Sequence, residues 1–120
     1  MPQKILVVDD EPEILEMIES RLSANGYQVF TAKDGIEGID RLYEVMPDLV
    51  LLDVLMPRVD GFKTLELLRK YQSTSKIPIV MITAKGESDN VLKAKELKAT
   101  DYLVKPFKAE QLLEIVKRHL

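Results

Sequence analysis

The sequence predicts an α/β domain: five βα units forming a doubly wound, five-stranded parallel sheet. Two observations carry this. Short apolar, β-branched runs recur about every 24 residues, and the segments between them carry apolar side chains at helical spacing. The turn-forming residues fall between the two kinds of segment, where such a fold needs them.

The strand candidates are Ile5 to Val8, Tyr27 to Thr31, Leu49 to Leu52, Ile77 to Ile82 and Tyr102 to Val104. The first and third are almost wholly apolar, as expected of strands buried on both faces beneath helices; the second and fifth are shorter or more mixed. Helical spacing is clearest at Ile14, Leu15, Ile18 and Leu22, at Phe62, Leu65 and Leu68, and at Leu112, Leu113, Val116 and Leu120. Pro12 suits a first helical turn, Asn25-Gly26 stops that helix, and Pro47 and Pro78 stand where helices end and strands begin. Asp34-Gly35 and Val59-Asp60-Gly61 read as turns that open the second and third helices.

The bulk properties narrow the function classes. A chain of 120 residues, 46% of them hydrophobic, suits one core and leaves no room for a second module. Seventeen basic residues against twenty acidic ones give a net charge of −3, which argues against broad capture of nucleic acid or an anionic membrane. The absence of cysteine excludes a disulfide framework, a thiolate metal site and a thiol nucleophile. The start MPQKILVVDD has no long apolar run before its first acidic residues, unlike a signal peptide or membrane anchor, and the expected location is cytoplasmic.

In an open α/β sheet, ligands gather beyond the carboxyl ends of the strands. Asp9 and Asp10 follow the first strand, Asp53 ends the third, Thr83 the fourth and Lys105 the fifth. Taken singly, each has a plainer role: a cap, a turn former, a strand-end hydroxyl or a solvated lysine. Together they converge on one edge. Three carboxylates held close raise one another's pKa or cost stability unless a cation compensates, and oxygen donors without His or Cys favour Mg2+ or Mn2+. Lys105 offers a point charge suited to a phosphate oxygen.

These residues lie in ILVVDDE, DLVLLDVLMPRVDG, IVMITA and DYLVKPF, and in that order and spacing the chain resembles the bacterial response-regulator receiver domains, the chemotaxis-regulator type among them. The likeness runs from about Lys4 to the C-terminus. It implies one receiver domain over residues 1–120, flavodoxin-like, with strand order 2-1-3-4-5. It implies that Asp53 is the nucleophile and phosphoacceptor, that Asp10 and Asp53 bind Mg2+ directly with Asp9 helping through water, and that Leu55 adds its backbone carbonyl. Lys105 would pair with one phosphoryl oxygen and Thr83 with another, Tyr102 would be the aromatic switch, and Lys105-Pro106 would be a cis peptide.

The same resemblance implies a phosphoryl donor, a sensor histidine kinase or a phosphotransfer protein, and a partner protein or output domain that reads a surface of the fourth helix, fifth strand and fifth helix, roughly Lys85 to Leu120. A phosphorylation-linked homodimer is a further partner it allows. The domain would make and break its own acyl phosphate without being a turnover enzyme. Leu55 and Lys85 occupy positions that tune phosphoryl lifetime in such domains, and the apolar Leu55 implies slower decay than in fast-reset chemotaxis-type receivers.

Three rivals fit less well. A haloacid-dehalogenase-type phosphohydrolase needs an Asp-x-Asp nucleophile after the first strand, and Asp9-Asp10 lacks that spacing. A flavodoxin-like FMN carrier needs a phosphate-binding loop where this chain has Asp9-Asp10-Glu11-Pro12. A receiver-like module that binds partners without phosphorylation would not need all five polar residues. His119, the one histidine, reads as a cation at a helix end rather than as a phosphotransfer group, and Met17 and Met81 read as core.

Overall fold

The structure, a computed structural model, describes residues 2–54, 61–84, 92–93 and 95–120, the side chain of Ala84 excepted. Its strands are β1 (Lys4–Val8), β2 (Gln28–Ala32), β3 (Leu49–Asp53), β4 (Ile79–Ala84) and β5 (Asp101–Lys105). Its helices are α1 (Pro12–Ala24), α2 (Gly35–Val45), α3 (Gly61–Lys70) and the C-terminal α4 (Ala109–Arg118). The sheet is parallel throughout, in the order β2-β1-β3-β4-β5, so the predicted class and strand order both hold. The helix expected between β4 and β5 is seen as helical backbone at Leu92, Lys93, Lys95 and Glu96, its remainder lying outside the described residues.

Strand limits shift slightly from the sequence reading. Pro78 has no N–H for the ladder, so β4 begins at Ile79 rather than Ile77 and runs on through Thr83. β2 starts at Gln28, one residue late, because Tyr27 is still tied by its N–H to the Leu22 carbonyl at the end of α1. Gly26 supplies that turn with a φ of 89°, in the left-handed region.

Alternation along the strands sorts the core into two layers. Leu6, Val8, Val50, Leu52, Ile79 and Met81 face α2 and α3, meeting Leu42, Phe62, Leu65 and Leu68. Ile5, Val7, Leu49, Leu51, Val80 and Ile82 face α1 and α4, meeting Ile18, Leu22, Leu112 and Val116. Each fully buried Leu or Ile here contributes about 1.5–3 kcal/mol relative to an exposed one. The central strands β1, β3 and β4 are therefore apolar on both faces, while the mixed strands β2 and β5 are the two edges. Among the described residues, no helix is long and apolar enough to cross a membrane.

Candidate functional site

Register brings the polar residues together. Val8 pairs with Leu52, Asp53 with Ile82, and Thr83 with Val104, so the carboxyl ends of β1, β3, β4 and β5 finish level. Asp9, Asp53 and Lys105 continue the alternation of Val7, Leu51 and Leu103, the side facing α1 and α4; Thr83 continues that of Met81, on the opposite side. A lysine and a hydroxyl thus approach the end of β3 from opposite faces of the sheet.

Asp9 is fully buried and Asp53 is 5% exposed, whereas Asp10 and Glu11 are exposed. The Asp9 Oδ1 accepts a hydrogen bond from the Glu11 N–H at 2.9 Å, the local turn that lets an Asp lead the chain from strand into helix. Pro12 takes the first helical position as expected. Glu11 stands at the N-cap but caps nothing with its side chain. Its Oε1 instead accepts a hydrogen bond from Lys105 Nζ at 3.0 Å.

Lys105 Nζ lies 3.1 Å from Asp9 Oδ2 and 3.5 Å from Asp53 Oδ2. Burial disfavours its charge, but the hydrogen bond it donates to Glu11 and the charges of Asp53 and Asp9 outweigh burial and hold its pKa above the ordinary lysine value. Its proton is therefore firmly held through the neutral range. The Asp9 Oδ2 is enclosed and, that ammonium aside, has no hydrogen-bond partner among the described residues; the buried Thr83 Oγ1 has none among them. Such buried oxygens cost about 1–3 kcal/mol each unless something satisfies them.

One carboxylate oxygen from each of Asp9, Asp10, Glu11 and Asp53 can be chosen so that all lie within 4.8 Å of one another. An all-oxygen, multiply anionic donor set with an unsatisfied oxygen suits a small hard cation, and Mg2+ or Mn2+ fits it. Glu11 is the member of the cluster that the sequence reading did not single out; its place in DDE, beside the acidic pair, was the only available signal.

Gly61 has a second role beyond opening α3. A Cβ there would overlap the Asp53 carbonyl and crowd Val54 Cα, while the Gly61 N–H donates to the Val54 carbonyl at 3.0 Å. The absence of a side chain lets α3 start directly against the end of β3. Tyr102 is half-buried, packed against the layer that holds Met81, with the Lys95 ammonium 6.0 Å from its ring centroid. It shares the sheet face of Thr83 but sits two residues back from it in register, and is not among the groups around Asp53. The Lys105-Pro106 peptide is cis, as expected. Leu55 and Lys85 lie outside the described residues, as does part of the anticipated output surface. His119 follows α4 as its C-cap and meets Asp101 Oδ2 at 2.8 Å, at the other end of the sheet.

The comparisons agree with this geometry. The chain matches the model of the response regulator receiver domain over residues 5–117. It is similar to the chemotaxis protein CheY4 of Vibrio cholerae, at 34% identity and a TM-score of 0.94 over all of both chains. A putative response regulator from Chloroflexus aurantiacus is 36% identical with a TM-score of 0.95, covering 98% of this chain and 97% of that one. The probable transcriptional regulator ycf27 of Guillardia theta is 44% identical over 110 residues, which are 92% of this chain and 42% of that protein. The DNA-binding dual master transcriptional regulator RpaA of Synechocystis sp. is 39% identical over 114 residues, 95% of this chain and 47% of that one. The chain thus spans less than half the length of these curated relatives. With the carboxyl-edge cluster, the strand order and a family match over residues 5–117 in agreement, the chain belongs to the response regulator receiver domains of two-component signalling.

Proposed function

We propose that Asp53 accepts a phosphoryl group, chiefly because it ends β3, the middle strand of the sheet, inside the acidic cluster and 3.5 Å from Lys105, and is 5% exposed where Asp9 is fully enclosed. The donor would be the phosphohistidine of a kinase or phosphotransfer protein, or a small phosphodonor. An Asp53 carboxylate oxygen attacks phosphorus, the P–N bond to the donor imidazole breaks, and its electron pair stays on that nitrogen. Asp10 and Asp53, with Asp9 and Glu11 beside them, would hold Mg2+. Bound there, the metal offsets negative charge on the phosphoryl oxygens.

The remaining chemistry falls to the chain. Lys105 exchanges its carboxylate partners for a phosphoryl oxygen, a short move for an ammonium already within 3.5 Å of Asp53. Thr83 has a buried hydroxyl with no hydrogen-bond partner among the described residues, so it can donate to a phosphoryl oxygen without breaking a bond to any of them. Its movement would free Tyr102, on the same face, to turn inward and alter the surface around β5 and α4 that an output domain, protein target or second receiver reads. Hydrolysis of the acyl phosphate by water resets the switch, so the domain would serve as its own short-lived substrate rather than as a turnover enzyme. An apolar hollow of about 450 Å³ lined by Ile14, Met17, Lys105, Pro106 and Phe107 adjoins the site, and the donor protein would dock there.

The test is intact mass after incubation with Mg2+ and acetyl phosphate. The native chain gains about 80 Da and Asp53→Ala gains nothing. An equal gain on both proteins would move the acceptor elsewhere, and no gain on a folded, Mg2+-loaded native chain would favour a phosphorylation-independent binding module.

A further inference from the structure

Glu11 stands at the N-cap of α1, but its side chain serves another segment. Its N–H is held by Asp9 Oδ1 at 2.9 Å, and its carbonyl accepts from the N–H groups of Ile14 and Leu15 at 3.1 Å, so its backbone is fixed. The carboxylate leaves the helix end without a side-chain cap and reaches instead to Lys105 Nζ, 94 residues on, at 3.0 Å. Among the described residues that ammonium is its one hydrogen-bond and ion-pair partner.

The three carboxylates around Lys105 differ in how readily they can give it up. Asp9 is wholly buried, and its other oxygen is committed to the Glu11 N–H, so it cannot turn away without breaking that turn. Asp53 is the proposed phosphoryl carrier and lies farther off, at 3.5 Å against 3.1 Å for Asp9 and 3.0 Å for Glu11. Glu11 is the outer partner, its side chain 58% exposed. Water can replace an ammonium at an exposed carboxylate at little cost, but not at a buried one. As Lys105 turns to a phosphoryl oxygen on Asp53, Glu11 is therefore the partner it leaves.

We propose that Glu11 is a positioning residue that parks the Lys105 ammonium at the rim of the site and so holds back phosphoryl transfer to Asp53. The inference rests on the reading of Asp53 as the acceptor. The Glu11–Lys105 pair is made in the resting chain and broken once Lys105 meets the phosphoryl group. Its loss raises the resting state alone and shortens the climb to the transition state of transfer. Hydrolysis is untouched, because the pair is already broken both in the aspartyl phosphate and in the transition state that water attack passes through.

Two variants of the full chain test this. Glu11→Ala removes the carboxylate, while Glu11→Asp keeps the charge on a shorter side chain that suits the N-cap and turns to the α1 backbone instead of reaching Lys105. Gain and loss of the phosphoryl group are timed by intact mass with acetyl phosphate, at Mg2+ concentrations where each protein's rate has levelled. Both variants should gain it roughly two- to fivefold faster than the native chain, the size of an exposed ion pair, and lose it at the native rate. In the metal-free proteins, the Lys105 side-chain NMR resonance, assigned through Lys105→Arg, should move in both variants alike, which reads the contact without any transfer. Gain at the native rate or slower in both variants overturns the proposal, as does a Lys105 resonance that neither variant moves. Faster gain in Glu11→Ala alone overturns it too, since the charge of Glu11 would then oppose the anionic donor without acting through Lys105. So does a loss rate changed by more than about twofold, which would put Glu11 against the phosphoryl group or its attacking water. Each of these leaves Asp53 as the acceptor, whereas a native chain that gains no mass overturns that reading and the proposal with it.

Discussion

The two ends of the sheet are built on opposite rules. At the amino end, polar groups are matched almost atom for atom. Arg69 donates to the carbonyls of Lys98, Ser75 and Ile77 and to the Thr100 hydroxyl, and that hydroxyl accepts from the Ile79 N–H at 2.9 Å. Asp101 accepts from the Tyr102 N–H through one oxygen and meets Arg118 and His119 through the other. At the carboxyl end, three carboxylates of a cluster of four crowd one ammonium, and two buried oxygens have, apart from that ammonium on Asp9, no hydrogen-bond partner among the described residues, Asp9 Oδ2 and Thr83 Oγ1. One end spends its polar groups on holding the fold; the other keeps them ready for a ligand.

The sharpest way to break this contrast is Arg69→Ala. It removes four hydrogen bonds, strands three carbonyls and unties the end of α3 from the loop before β5, so urea unfolding should show a loss of about 2–4 kcal/mol. Phosphoryl acceptance by the variant that remains folded should be unimpaired. Asp53→Asn should do the reverse. Removing one negative charge from a crowded cluster should leave metal-free stability unchanged or raise it by up to about 1 kcal/mol while abolishing acceptance. A destabilisation as large as that of Arg69→Ala would erase the distinction between the two ends.

A smaller effect comes from pH. Burial raises the Asp101 carboxyl, but the hydrogen bond from His119, the Tyr102 N–H, the His119 charge and Arg118 more than reverse this, and its pKa lies below the ordinary value of 3.8. A carboxyl depressed in the folded state contributes stability that is fully present above its unfolded value and lost as pH falls through the folded one. Asp101→Asn should therefore cost about 0.5 kcal/mol at pH 7, and the difference from the native chain should shrink below about pH 4. A gap that persisted at pH 2 would mean that Asp101 acts through shape rather than charge.

The contrast also explains what could be read from the sequence. The carboxyl end was legible because strand-end position is a property of local sequence: Asp9, Asp53, Thr83 and Lys105 each follow or end an apolar run, and parallel topology carries such positions to one edge. The amino end was not. Arg69 finds its partners at backbone carbonyls and at a hydroxyl 31 residues away, and carbonyls leave no trace in residue type. Glu11 was passed over because an exposed glutamate before a helix ordinarily reads as a first-turn acid, and only the fold brings Lys105, 94 residues on, within reach. Helical spacing marked Phe62, Leu65 and Leu68 as core, but it could not tell which apolar residues of α2 and α3 exceed what the core covers, so the groove that Tyr43 and Tyr71 line between those helices appeared only in three dimensions.

The most direct test of the claim that the carboxyl end is a phosphoacceptor site is to locate the modified atom. After phosphorylation with Mg2+ and acetyl phosphate, borohydride reduces an aspartyl phosphate to homoserine, and fragmentation mass spectrometry of the digested chain reads its position. Homoserine at position 53 alone is the expected result. Homoserine at position 9 or 10 with Asp53 intact, or an adduct that borohydride leaves unchanged, would contradict the account.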